Sequence, residues 1–286
     1  MPPSNSNSTS ASTLSRRMRH LRTQVDRIDL KILRLLQQRT KLARRIGETK
    51  RRHRAVIYVP ERERELLRRV ARLSRGKLPA RAVTAIFREI LSSSRAEQGQ
   101  GAIGLLRPSA AEILPAARGS FGACDEFLPF KTWPQLAARL ADGSLALALL
   151  TGDDLARILR SPAARRRFPA QARLVADFTP GPDLPLGRRI FVVTPPGPEA
   201  PRDGNRAVIL IECKSRTNTV KSWLKSMPEC SLQAQQAALR IGAGNASAVL
   251  MRLTSTPLAP ATRALRSADV PFSVLGLYQG TEDYGG

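Results

Sequence analysis

The sequence predicts a multidomain protein. An all-α segment over residues 15–100 is followed by a small α/β domain over 101–195, a linker at 196–205 and a βαββαβ, ferredoxin-like domain over 206–280. Three observations predict this order. As far as Gln98, apolar residues recur at spacings of three and four, the stripe of an amphipathic helix. From Gly101 they come instead in short runs bounded by turn residues. The proline-rich stretch PPGPEAPRDGN at 195–205 then sets off a last strand–helix pattern.

Residues 1–14 are Ser-, Asn- and Thr-rich, lack the apolar segment of a secretory signal, and are read as a disordered tail. The first helix is expected from about Leu14 to His53, with no proline and one glycine, Gly47. It is too long to pack on two short helices alone, so it is expected to pair with a copy of itself. After RAVIYVP, Pro60 suits the first turn of a second helix, and Glu61, Glu63 and Glu65 sit near its positive end. SRGKLP (74–79) breaks the pattern before a third helix that runs to about Gln98. In the α/β segment, AIGLL and SLALALL read as buried strands with a helix around TWPQLAARLADG between them. A basic stretch, SPAARRRFPAQAR, precedes LVADF and RRIFVVTP. The last segment gives strand AVILIEC, helix TVKSWLKSM, strands CSLQAQQAAL and SAVLMRL, helix APATRALRSA and strand FSVLGLY.

The chain carries 47 Lys and Arg against 23 Asp and Glu, a formal net charge of +24, which makes nucleic acid the first partner to weigh. Against it, arginine is spread along every segment, aromatics are 5% of residues, and no zinc-finger, RNP or P-loop spacing occurs. The other reading of the charge is that part of it points inward, at a small anion. Cys124, Cys213 and Cys230 are odd in number and widely spaced, which points to reduced thiols in a cytoplasmic setting. LALALL is far shorter than the roughly 18 residues a membrane span needs, so no membrane association is expected. Two SxxK matches, Ser74–Lys77 and Ser222–Lys225, lack partner motifs.

Position along the helices separates the two readings of the charge. Val25, Ile28, Ile32, Leu35, Leu42 and Ile46 form one stripe, and Arg39 falls on it. Lys50 lies three turns further on nearly the same face. In the second helix Glu63 leads the stripe Leu66, Leu67, Val70 and Leu73; in the third, Val83, Phe87 and Ile90 lead on to Ser94 and Gln98. One such residue alone can reach water along its stem or cap a helix. Repeated in three helices, the pattern calls for a ligand, because an unpaired buried ion costs several kcal/mol. Cations, one carboxylate and two neutral hydrogen bonders suit a multiply anionic, hydroxylated small molecule. There is no nucleophile–base pair, and neither a metal nor a cofactor is called for.

LRTQVDRIDLKILRLLQQRTKLARRIGETK, VIYVPERERELL and AIFREILSSSRAEQ together resemble the all-helical chorismate mutases, as found at the front of bifunctional chorismate mutase/prephenate dehydratase proteins. The resemblance implies an intertwined homodimer built on the first helix that turns chorismate into prephenate without a cofactor. It implies that Arg39 grips one substrate carboxylate within its own chain and that Arg22 reaches the other across the dimer. Lys50 and Gln98 would flank the ether oxygen of the breaking bond, Glu63 would receive the ring hydroxyl, and Arg62 and Ser94 would support it. Where some members have Asp, this sequence has Val59.

The remaining chain resembles a shortened prephenate dehydratase domain, from AIGLLRPSA through WPQLAARLADGSLALALL, and an ACT regulatory domain ending in VLGLYQG. The dehydratase Thr-Arg-Phe motif has only Arg188-Arg189-Ile190 as counterpart, so dehydratase activity is expected to be missing. An amino-acid effector at the ACT-like domain is what the resemblance implies, although SRTNTVKSWL stands where a glycine-containing effector motif would.

Overall fold

The computed structural model describes residues 6–53, 58, 60–74, 76, 78–98, 102–179, 184–195, 206–212, 238–241, 248–254, 262–263, 266–267 and 272–278. Val59, most of the link before it, the linker 196–205, the helix expected at 219–227 and the segment SRTNTVKSWL lie outside the described residues.

Three helices open the chain: α1 (Ser6–Arg52), α2 (Pro60–Leu73) and α3 (Ala80–Glu97). One boundary departs from expectation. The segment read as a disordered tail is helical from Ser6, because no proline or glycine interrupts residues 6–14 and extending a nucleated helix costs far less than starting one. Pro60 occupies the first position of α2, where no backbone N–H is missed, and Glu61 and Glu63 meet the positive end of its dipole. The end of α1 packs on α3, and α2 lies against α3, around Ala43, Leu67, Val83 and Leu91. Gly47 permits the α1–α3 approach, since a Cβ there would stand 2.7 Å from the carbonyl oxygen of Gln98 and 2.9 Å from its Cβ. The apolar stripe itself stays uncovered along α1: Leu21, Val25, Ile28, Ile32, Leu35, Leu42 and Ile46 are all exposed, Leu35 to 63%, while Ala43 and Gly47 make the packed face.

Beyond α3 lies a mixed five-stranded sheet with helices, of order β2-β1-β3-β5-β4. Its strands are β1 (Ala102–Leu106), β2 (Phe127–Phe130), β3 (Leu145–Thr151), β4 (Arg173–Phe178) and β5 (Ile190–Thr194). β1 runs parallel to both β2 and β3, while β5 is antiparallel to β3 and β4. Every residue of central β3 is buried, as its unbroken apolar run requires of a strand covered on both faces. Four helices accompany the sheet: α4 (Arg107–Phe121), α5 (Trp133–Ala141), α6 (Gly152–Ile158) and α7 (Pro162–Gln171). The basic stretch at 161–173 thus contains a helix, capped by the Ser161 hydroxyl.

A second, antiparallel sheet has the order β7-β8-β6-β9, from β6 (Arg206–Glu212), β7 (Ala238–Ile241), β8 (Ala248–Thr254) and β9 (Phe272–Tyr278). The described part of the strand expected in CSLQAQQAAL begins at Ala238, near that segment's end. The two sheets share one hydrophobic core, in which Leu174, Leu186 and Phe191 join Val208, Leu210, Leu250, Leu275 and Tyr278. At the same junction Asp177 of β4 is sealed from water and paired with Arg189, Arg206 and Arg252. Burial alone would raise the Asp177 pKa, but the three guanidinium groups outweigh it and hold the carboxyl below its ordinary value.

Candidate active site

The candidate site forms where α1, α2 and α3 converge, and each helix delivers its polar exceptions there. Arg39 of α1 is half-buried and donates through Nη1 to the Ser94 Oγ and, at 3.2 Å, to the Ile90 carbonyl oxygen of α3. Ser94 is buried and donates its own hydroxyl to Ile90 O at 2.6 Å, a back-bond that turns the oxygen toward α1. Lys50, at the end of α1, is also half-buried. Gln98 caps α3 against Gly47, less than one turn before Lys50 on α1.

The electrostatics tie α2 to the same place. Burial lowers the Arg39 pKa, and the charge of Glu63 opposes that shift. Burial also lowers the Lys50 pKa; Arg62 adds to the effect and Glu63 again opposes it. Arg39, Lys50, Arg62 and Glu63 therefore share one field in which positive charge exceeds negative. A dianion would restore the balance.

Of the residues singled out in the sequence, Arg39, Lys50, Glu63, Ser94 and Gln98 come together, with exposed Arg62 at the edge. Arg22 does not join them within one chain. It stands on the exposed part of α1, 17 residues before Arg39, which at about 1.5 Å rise per residue is about 25 Å along the axis. No arginine side chain spans that distance.

The sequence reading missed Arg95. It is buried on α3 and its Nη1 donates to both Glu63 oxygens, at 2.6 and 2.7 Å. A signal existed, because Arg95 follows Leu91 by four and so lies on the buried stripe, but the abundance of arginine in this sequence hid it.

With this geometry in hand, the similarities to known proteins are specific for the helical segment. The family described as chorismate mutase type II matches residues 21–99. The bifunctional chorismate mutase/prephenate dehydratase of Aquifex aeolicus is 40% identical over 119 residues, which are 40% of this chain and 33% of that protein. The chain thus spans about a third of that relative's length. Among solved structures, GqqA, described as a novel type of quorum quenching acylase, covers 62% of this chain and 93% of its own, at 21% identity and a TM-score of 0.41. The prephenate dehydratase of Streptococcus mutans covers 62% of this chain and 97% of its own, at 12% identity and the same TM-score of 0.41. These two likenesses are too distant to carry a functional argument. The helical segment is another matter: residues 21–99, on which the candidate site stands, match the chorismate mutase type II family.

Proposed function

We propose that the protein converts chorismate to prephenate, at two sites shared between the copies of a homodimer. One observation carries this reading. The residues that break the apolar stripes of three separate helices converge on one half-buried, positively charged site. Arg39 grips one carboxylate of chorismate and Arg22 of the second copy grips the other, fixing the side chain over the ring in a reactive conformer. As the C–O bond breaks, negative charge grows on the ether oxygen, where Lys50 and Gln98 stabilise the transition state more than the substrate. Glu63 accepts the ring hydroxyl, with Arg62 and Ser94 in support. The rearrangement is concerted, so the chain supplies orientation and charge and no nucleophile.

The dimer is supported by the exposed stripe Leu21, Val25, Ile28, Ile32 and Leu35, a continuous apolar face that a second α1 would cover. Cys124 is free and exposed, which suits a reducing compartment, and we place the activity in the cytoplasm.

We further propose that the central sheet does not dehydrate prephenate. Arg189, the counterpart of the dehydratase motif's arginine, is already held by buried Asp177. The last sheet is read as the ACT-like unit. Its crossovers β6 to β7 and β8 to β9 each skip one strand, as interleaved βαβ units do. The test is product analysis with purified protein. Chorismate should give prephenate, and added prephenate should give no phenylpyruvate. Phenylpyruvate formed at an enzymatic rate would overturn the second part, and unchanged chorismate the first.

A further inference from the structure

Glu63 has a protein partner whose other contacts belong to a different part of the chain. The Arg95 guanidinium has five N–H donors. Two reach Glu63, at 2.6 and 2.7 Å. The others reach the Phe121 carbonyl oxygen at the end of α4 and the two oxygens of Asp125, at 2.7 Å from Nη2 and 3.3 Å from Nε. The Phe121 ring also lies 5.7 Å from the guanidinium carbon. Burial by itself would lower the Arg95 pKa, but the bonds and charges of Asp125 and Glu63 reverse the effect and raise it above the ordinary arginine value. The cation is permanent and fully engaged.

Asp125 is itself fixed. It accepts from the Ser92 hydroxyl at 2.8 Å; that hydroxyl accepts the Cys124 N–H at 3.1 Å, and the Ala123 N–H donates to Glu89 at 2.9 Å. Gly122 turns the chain at a φ of 103°, where a Cβ would press on Ser92. The loop 122–126 is therefore seated on α3 by the α/β region, and Arg95 passes that seating on to Glu63.

We propose that Arg95 is a positioning residue for the mutase site and that loop 122–126 sets its orientation, so that the α/β region governs how well Glu63 meets the substrate. This rests on the mutase reading above, in which Glu63 accepts the ring hydroxyl. Arg95 binds the carboxylate from one side and leaves lone pairs for that hydroxyl, since a carboxylate offers about four. Asp125 touches no substrate; it acts only through Arg95.

The test uses the full chain and Asp125→Asn, which keeps the shape and removes the charge. Values of kcat/KM are measured for chorismate and for an analogue lacking the ring hydroxyl, with thermal unfolding alongside. We expect Asp125→Asn to lower kcat/KM for chorismate about tenfold, as a small misplacement of a contact group does. The analogue, which has no hydroxyl for Glu63 to meet, should change by less than about twofold. Equal losses on both compounds, or no loss on chorismate, would show that Arg95 merely joins two parts of the fold and would overturn the proposal. Should Asp125→Asn fail to fold, Ser92→Ala carries the same comparison. A wild type that leaves chorismate untouched overturns the mutase reading itself, a distinct result from an active wild type with an indifferent variant.

Discussion

At the scale of single residues, the proposed mutase site turns on positive charge held half-buried. Arg39 spends one Nη on Ser94 and Ile90, and Lys50 sits where burial and Arg62 both disfavour its charge. A bound dianion relieves both. This sets a pH dependence. In the proposed mechanism Lys50 acts as an ammonium ion, and its pKa in the free protein is lowered, so kcat/KM should fall on an alkaline limb below the ordinary lysine value of about 10.4. The kcat limb should lie higher, because bound substrate carboxylates favour the charged lysine. A pH–rate profile with the two limbs coincident at the ordinary value would contradict this. These residues were legible in the sequence because each interrupts an apolar stripe. Arg95 and Asp125 were not: one arginine among 47 Lys and Arg draws no notice, and a loop aspartate carries no periodicity.

At the scale of elements, α1 has two jobs at its two ends. Its last turns carry Arg39 and Lys50 onto α3; its earlier turns expose an apolar stripe and Arg22. If a second α1 covers that stripe, Ile28→Glu should yield monomers by ultracentrifugation and lower turnover by about a hundredfold or more, since the carboxylate clamp loses half its members. Sharing of sites has its own signature. Arg22→Ala and Lys50→Ala proteins should each be nearly inactive, yet an equal mixture, after exchange of chains, should regain about a quarter of wild-type activity, because half the dimers then hold one intact site of two. A mixture without recovery would place each site within one chain. The three helices, β1, β3 and α5 were readable from periodicity and from Gly and Pro punctuation. β2 escaped because Pro129 interrupts its apolar run, which the sheet tolerates only since β2 is an edge strand. α6 escaped although Thr151 and Asp154 form a capping box, a signal present in the sequence.

At the scale of the whole molecule, two charged clusters lie where the parts meet among the described residues: Arg95 with Glu63 and Asp125, and Asp177 with three arginines. Neither was legible in the sequence, because their members lie 12 to 75 residues apart and no local pattern pairs them. The Asp177 junction predicts acid sensitivity. The carboxyl's pKa is lower folded than unfolded, so its stabilisation is present above about pH 4 and is lost as the pH falls below that. Asp177→Asn should destabilise the fold by about 3–5 kcal/mol near neutral pH by stranding buried guanidinium charge, and should remove this component of the acid dependence. Denaturant unfolding from pH 7 to 3 would show it as a flatter profile for the variant. The proposed chemistry sits at the convergence of α1, α2 and α3, and chorismate consumption tests it most directly, with the wild type, Arg39→Ala and Lys50→Ala compared at matched helicity by circular dichroism. That chemistry predicts wild-type turnover far above the uncatalysed rate and losses of about a thousandfold or more in both variants, the scale of removing a transition-state contact together with orientation. Wild-type protein that leaves chorismate at its uncatalysed rate, or variants as active as the wild type, would contradict it.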